Sequence, residues 1–229
     1  MIEQELKNAV VFQNSDFVVI NKPGGLNFHS EESPGLVVLV KQLLQVESLY
    51  PVHRLDKMTS GLVIFALNKS TAQVFQVMFE QHLVQKYYLA VSDKKPKKKQ
   101  GWLIGDMLPA RRGNWKLSKT KENPAKTQFI SQSIEPGVRL YLVKPITGKT
   151  HQIRVALKSI GAPILGDERY ADSVEAKQAD RGYLHAFAVQ FILNNRTYEF
   201  VRMPTEGAVF QSPLCQNLIE AWQMPWQKI

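Results

Sequence analysis

His53-Arg54-Leu55-Asp56-Lys57-Met58-Thr59-Ser60-Gly61-Leu62-Val63-Ile64-Phe65-Ala66-Leu67 is the stretch on which the reading of this chain turns. Its first half, within 51–61, has no helical or strand period, whereas 62–67 is an unbroken apolar run of strand length that stops at Asn68. The stretch predicts a polar loop that leads one carboxylate, Asp56, into a strand. Arg54 and Lys57 stand close by in sequence, and neighbouring cations favour an ionised carboxylate, which suits nucleophilic or electrostatic work better than acid catalysis. On these residues alone a surface turn is the simpler reading, because Asp-x-x-Thr-Ser-Gly is also good turn chemistry.

Working outward, 16–20 reads as a buried strand stopped by Asn21-Lys22-Pro23-Gly24-Gly25, and 36–44 as a helix after the breakers Pro34 and Gly35. Asn68 is a good N-cap for a helix whose apolar face is Ala72, Phe75, Phe79 and Leu83. A strand follows over 86–91. From 101 to 143, short β-branched and aromatic runs broken by Gly and Pro predict antiparallel strands with long basic loops, clearest at 125–130 and 138–143. Thr150 is the expected N-cap of a helix with Ile153, Ala156, Leu157 and Ile160 on its apolar side and Gly161 as its stop. A hairpin over 183–193 and 196–201 turns at Asn194-Asn195, and a short helix over 213–222 closes the chain. There is no internal repeat and no Gly/Ser spacer, so the expectation is one α+β domain over 1–229, built on a mostly antiparallel mixed sheet flanked by helices.

The chain has 229 residues, 44% hydrophobic and 21% charged, ordinary proportions for a packed core, so disorder is not the default. No run approaches the roughly 18 to 20 apolar residues of a membrane span, and the acidic Met1-Ile2-Glu3-Gln4-Glu5 start is unlike a signal peptide. The single Cys215 makes neither an internal disulfide nor a zinc cluster. A cytoplasmic protein is expected. With 29 Lys and Arg against 20 Asp and Glu, the net charge of +9 favours a polyanionic partner, with mere solubility as the alternative. The charge is concentrated at Lys94, Lys95, Lys97, Lys98 and Lys99, and again at Arg111, Arg112, Lys116, Lys119 and Lys121. Trp102 and Trp115, set among these charges, are read as core anchors, with base stacking as the other use.

Lys149, His151, Arg154 and Lys158 make a second constellation. Like charges three and four apart repel on a helix, and are tolerated on a solvated face or beside an anion, either an RNA phosphate or a carboxylate such as Asp56. The histidines show no metal-ligand spacing, and neither a phosphate loop nor a Gly-x-Ser-x-Gly elbow is present. No metal site is expected.

Several blocks, taken in order, resemble the RluA-type pseudouridine synthases: Asn21 to Leu26, His53 to Leu62, Lys86-Tyr87-Tyr88-Leu89-Ala90, Pro145 to Val155, and Leu165-Gly166-Asp167. The resemblance implies isomerisation of a uridine in structured rRNA or tRNA, an active-site cleft across the sheet, no cofactor, no metal and no membrane partner. It implies Asp56 as the essential carboxylate, Tyr88 as the ring that stacks on the uracil, Arg154 as the forked partner of Asp56, and Arg54 as a wedge in the opened RNA. His53, Thr59, Lys149, His151, Gln152 and Ile153 fall in the matched blocks as substrate-binding candidates. Lys149 stands where the family commonly has arginine, and Ala156 where it often has histidine. About fifteen residues precede the first predicted strand, too few for the separate RNA-binding domain many relatives carry, and a monomer is expected. Two rivals remain: a nuclease using His53, His151 and Asp56 as acid and base, and a basic RNA-binding module to which Asp56 would be dispensable.

Overall fold

The structure, a computed structural model, describes residues 8–229. In chain order its elements are β1 (Val10–Gln13), β2 (Phe17–Lys22), a helix Leu36–Leu44, β3 (Tyr50–Pro51), β4 (Ser60–Ala66), a helix Lys69–Glu80, β5 (Gln85–Ser92) and β6 (Gln100–Gly105). There follow β7 (Met107–Pro109), β8 (Trp115–Leu117), β9 (Ala125–Glu135), β10 (Val138–Pro145), helices Gln152–Ser159 and Ser173–Ala176, β11 (Leu184–Leu193), β12 (Arg196–Val201) and a helix Pro213–Glu220. The main sheet runs β1-β2-β4-β11-β5-β10-β9-β6, with β12 paired to β11 and β3 to β4, while β7 and β8 form a separate hairpin. Among the described residues the β4–β11 pairing is parallel and the others are antiparallel. The expected α+β, mostly antiparallel mixed sheet is what forms.

β4 is buried at every residue because each of its faces is covered. Val63 and Phe65 join the larger core with the Leu36–Leu44 helix, and Leu62, Ile64 and Ala66 join a smaller one with Phe17, Phe75 and Phe191. The Lys69–Glu80 helix closes the smaller core: Asn68 Oδ1 accepts from the Thr71 N–H at 2.8 Å, and Phe75 is fully buried. Truncating such a phenylalanine costs about 3–5 kcal/mol. This helix ends at Glu80, so Leu83 lies beyond it and is exposed instead of extending its apolar face.

Gly61 is where the Asp56 loop enters the sheet. Its φ is +103°, and a Cβ there would lie 2.3 Å from the Ala186 carbonyl oxygen, so only glycine lets β4 run this close to β11. Two other expectations fail. Trp102 lies on β6, which is last in the strand order, with 44% of its surface exposed, and Trp115 is half-buried in the hairpin, so neither is a core anchor. Thr150 is not the N-cap of the next helix, which begins at Gln152 after His151 in the left-handed region (φ 56°). Gln152 itself locks the turn: its Oε1 accepts from the Thr147 hydroxyl and the Lys149 N–H, and its Nε2 donates to Lys126 O and Thr127 Oγ1.

Candidate active site

The loop before β4 is held from both ends. The β3–β4 pairing brings Tyr50 and Pro51 back against Ala66 and Phe65, the Thr59 N–H closes a turn on the Asp56 carbonyl, and Leu55 is buried beneath. Lys22 is fully buried, and its ammonium donates to the carbonyls of Pro23, Leu26 and Lys57 at 2.9, 2.9 and 3.2 Å, tying the 22–26 turn to the Asp56 loop. Burial, then the charge of Arg181, pushes that ammonium down to about 7. Lys22 was missed from sequence, although it shares strand parity with the buried Val18 and Ile20.

Asp56 faces a cavity of about 460 Å³ that is also lined by Arg54, Thr59, Lys86, Tyr88, Lys149, His151, Ile153 and Arg154. Its Oδ2 accepts from Arg154 Nη1 at 2.9 Å, and among the described residues Oδ1 accepts no hydrogen bond. The expected pairing of Asp56 with Arg154 is present, but one nitrogen makes it. The fork goes elsewhere: Arg154 Nε and Nη2 each donate at 2.8 Å to the carboxylate of Asp167, which is wholly buried and also accepts from the Arg169 and Tyr170 N–H groups. Burial alone would lower the Arg154 guanidinium, but the hydrogen bond and charge of Asp167, then Asp56, push it above its ordinary value. Arg154 is therefore a fixed cation between two carboxylates. Of the like-charge cluster read from sequence, Arg154 is compensated by these two carboxylates, whereas Lys149 bonds the neutral Asn123 and Lys158 lies over the Tyr170 ring. Asp167 lay in a matched block, but nothing in its sequence neighbours marks it as buried.

Tyr88, from β5, is nearly buried, and burial followed by the Asp56 charge pushes its hydroxyl well above the usual phenol range. A neutral aromatic face thus stands beside an anchored carboxylate. His151 Nε2 lies 3.9 Å from Asp56 Oδ2 and its Nδ1 is 2.9 Å from the Tyr170 hydroxyl. Burial, then the Arg154 charge, lowers its imidazole below the ordinary range, which favours the neutral form. Arg54 is exposed on the rim, and Lys149 Nζ donates to Asn123 Oδ1 at 2.9 Å.

His53 is framework rather than reagent. Its Nε2 accepts the Ile64 N–H at 2.9 Å, and burial, then the Lys86 charge, pushes it down to about 3. A nitrogen occupied in this way takes up no proton near neutrality, which removes His53 from the acid and base groups of the nuclease reading. Lys86 was not singled out in the sequence. It lines the same cavity, and burial pushes it down to about 8. The basic stretches differ in position: Lys94 pairs with Glu175 at 2.7 Å away from the cavity, whereas Arg111 and Arg112 form the tip of the β7–β8 hairpin. No group of metal-ligating side chains occurs among the described residues, and no helix there is long and apolar enough to cross a membrane.

Residues 16–159 match the family profile described as RNA pseudouridylate synthase. The chain is 49% identical over 214 residues to an uncharacterized RNA pseudouridine synthase of Haemophilus influenzae, covering 93% of this chain and 95% of that one. It is 31% identical to the dual-specificity RNA pseudouridine synthase RluA of Salmonella typhi, over 80% of this chain and 86% of the relative. It is also 31% identical to the ribosomal large subunit pseudouridine synthase C of Haemophilus ducreyi, over 82% of this chain, and spans 62% of that relative's length. The solved structure of human RNA pseudouridylate synthase domain containing 4 superposes with a TM-score of 0.76 at 25% identity, covering 94% of this chain and 95% of that one.

Proposed function

The chain belongs to the RNA pseudouridylate synthase family, and we propose that Asp56 is the carboxylate with which it isomerises a uridine in structured rRNA or tRNA. The observation that carries this reading is the Asp56 carboxylate, with Oδ2 fixed by Arg154 and Oδ1 free, in a cavity beside the Tyr88 ring. Pseudouridine formation breaks the N1–C1′ bond, turns the uracil and joins C5 to C1′. A proton leaves C5 and one is gained at N1, so the change is redox-neutral and calls for no cofactor.

A uridine in folded RNA is extruded before C1′ is within reach, and unstacking costs a few kcal/mol, offset by phosphate contacts and by stacking in the pocket. Tyr88 supplies the stacking face. Arg54, exposed at the rim, occupies the gap left in the RNA. Lys149 supplies positive charge at the mouth, while Thr59, His151 and Ile153 form the pocket wall. His53 and Gln152 serve indirectly, by holding the loop and the turn that carry the others. Arg154 holds the carboxylate aimed in a partly dry site, and Asp167 keeps Arg154 in place. The protein acts as a cytoplasmic monomer whose 1–229 span is one catalytic domain.

The test uses total RNA from cells lacking the gene. Wild-type protein restores pseudouridine at a defined site without changing RNA length or mass. Asp56→Asn binds the same RNA and restores none. Restoration by Asp56→Asn refutes the assignment, and strand cleavage by the wild type refutes the reaction.

A further inference from the structure

A second cavity, of about 400 Å³, adjoins the catalytic one and shares Lys149 and Thr150 with it as a common wall. Its far side is made by the β7–β8 hairpin, which stands apart from the main sheet: Met107, the exposed Leu108 and the half-buried Trp115 present an aromatic and apolar surface. Its polar lining combines two carboxylates, Asp106 and Glu122, with Asn123, Thr150 and one cation, Lys149. The Asp106 carboxylate, nearly buried, is held by the Glu122 and Asn123 N–H groups at 3.0 and 2.9 Å, and the Glu122 carboxylate is exposed beside it. The Glu122 N–H foremost, then the Thr120 side chain and the Asn123 N–H, hold Asp106 below its ordinary value, so it is an acceptor. The cation at this wall, Lys149, is bonded to Asn123 Oδ1.

The hairpin is also tied to the catalytic residues. The Trp115 N–H donates to the Tyr170 hydroxyl at 3.2 Å, that hydroxyl lies 2.9 Å from His151 Nδ1, and Asn114 Nδ2 donates to the Arg169 carbonyl. Arg111 and Arg112 at its tip extend the cationic surface past the cavity. A flat apolar wall with carboxylate acceptors disfavours a phosphate and matches an unstacked nucleobase that offers N–H donors. Adenine, cytosine and guanine carry an exocyclic amino group, and guanine adds N1–H to make a fork that fits a carboxylate; uracil offers two carbonyl oxygens and a single N–H.

Resting on the reading of Asp56 as catalytic, we propose that this second cavity receives a nucleotide next to the target uridine, extruded with it, and selects an amino-bearing base there. Trp115 stacks on that base, and Glu122 with Asp106 accepts from its amino edge. The pocket thus decides which uridines reach the catalytic carboxylate, since a strand whose neighbouring base is rejected does not seat its target.

The experiment takes a transcript bearing the site identified with total RNA and changes each of the two nucleotides on either side of the target to uracil in turn. With wild-type protein, one position raises KM for pseudouridine formation by about tenfold, the size expected for losing the hydrogen bonds to one base edge while stacking is kept. In Trp115→Ala and in Glu122→Gln, the same change has an effect within about twofold, because the pocket no longer reads that base. Glu122 is exposed, so this second variant keeps the test valid where Trp115→Ala loosens the hairpin. A native uracil at the sensitive position, or a sensitivity of the same size in wild type and in Glu122→Gln, overturns the proposal while pseudouridine formation itself stands. Modification by Asp56→Asn overturns instead the reading on which it rests.

Discussion

Replacing Arg154 by lysine tests the centre of the site while keeping its charge. The guanidinium makes three charge-assisted hydrogen bonds, two of 2.8 Å to Asp167 and one of 2.9 Å to Asp56, and only 7% of the residue is exposed. A lysine ends in a single point donor, and it reaches one carboxylate or the other without bridging both. At least one charge-assisted bond is lost in the buried site, at about 1.5–3 kcal/mol. If the bond to Asp56 is lost, the carboxylate is no longer aimed, and kcat falls roughly ten- to 150-fold at 1.4 kcal/mol per decade. If the bonds to Asp167 are lost, a buried carboxylate is stranded and the cost falls on stability, about 3–5 kcal/mol. Single-turnover pseudouridine formation, with saturating RNA, and urea unfolding separate the two. Because three donors of Arg154 are taken up by protein carboxylates, KM should move by less than about threefold. A variant with kcat and stability both within about twofold of wild type refutes the anchoring role. A rise in KM with unchanged kcat and a weaker salt dependence would show that Arg154 grips the RNA backbone instead.

Tyr88→Phe keeps the ring and removes the hydroxyl, so it should retain roughly five- to 150-fold more kcat/KM than Tyr88→Leu, which gives up the stacking face at about 1–3 kcal/mol; equal losses would assign the work to the hydroxyl. Gly61→Ala should lower stability by about 1–3 kcal/mol or more in urea unfolding, because the added methyl meets the Ala186 carbonyl and the backbone has positive φ; an unaltered midpoint refutes the close approach of β4 and β11. His53 and His185 are held neutral in the fold, each pushed by burial down to about 3, whereas an unfolded histidine protonates near 6.5. Between those values the unfolded chain binds the extra proton, so stability falls as pH drops from about 6.5 towards 3, by up to about 1.4 kcal/mol per pH unit for each ring. Unfolding free energies measured from pH 7 to pH 4 should show a slope shallower by close to one proton in His53→Gln, and an unchanged slope removes His53 from the account.

Much of this protein is legible in its sequence where the information is local. The 36–44 helix, the Asn68 cap and the hairpin turning at Asn194-Asn195, both at positive φ, form where turn chemistry and apolar spacing place them. The loop leading Asp56 into a buried strand was equally visible, and its company with Tyr88 and Arg154 was legible through the ordered blocks. Tertiary structure decided how these residues are connected. The Arg154 fork turns to Asp167, thirteen residues on, because helix and turn fold back on each other, and no spacing rule carries that distance. His53 and Gln152, which stand among candidate substrate contacts, have their side chains taken up by backbone and neighbour partners instead. Trp115 left the core because β7 and β8 pair with each other and not with the main sheet, and that choice of strand partner makes the second cavity. Residue types and periods determine which segments become strands and helices and which chemistry they carry. Burial, hydrogen-bond partners and the walls of a pocket are properties of pairs distant in sequence, and only packing determines them.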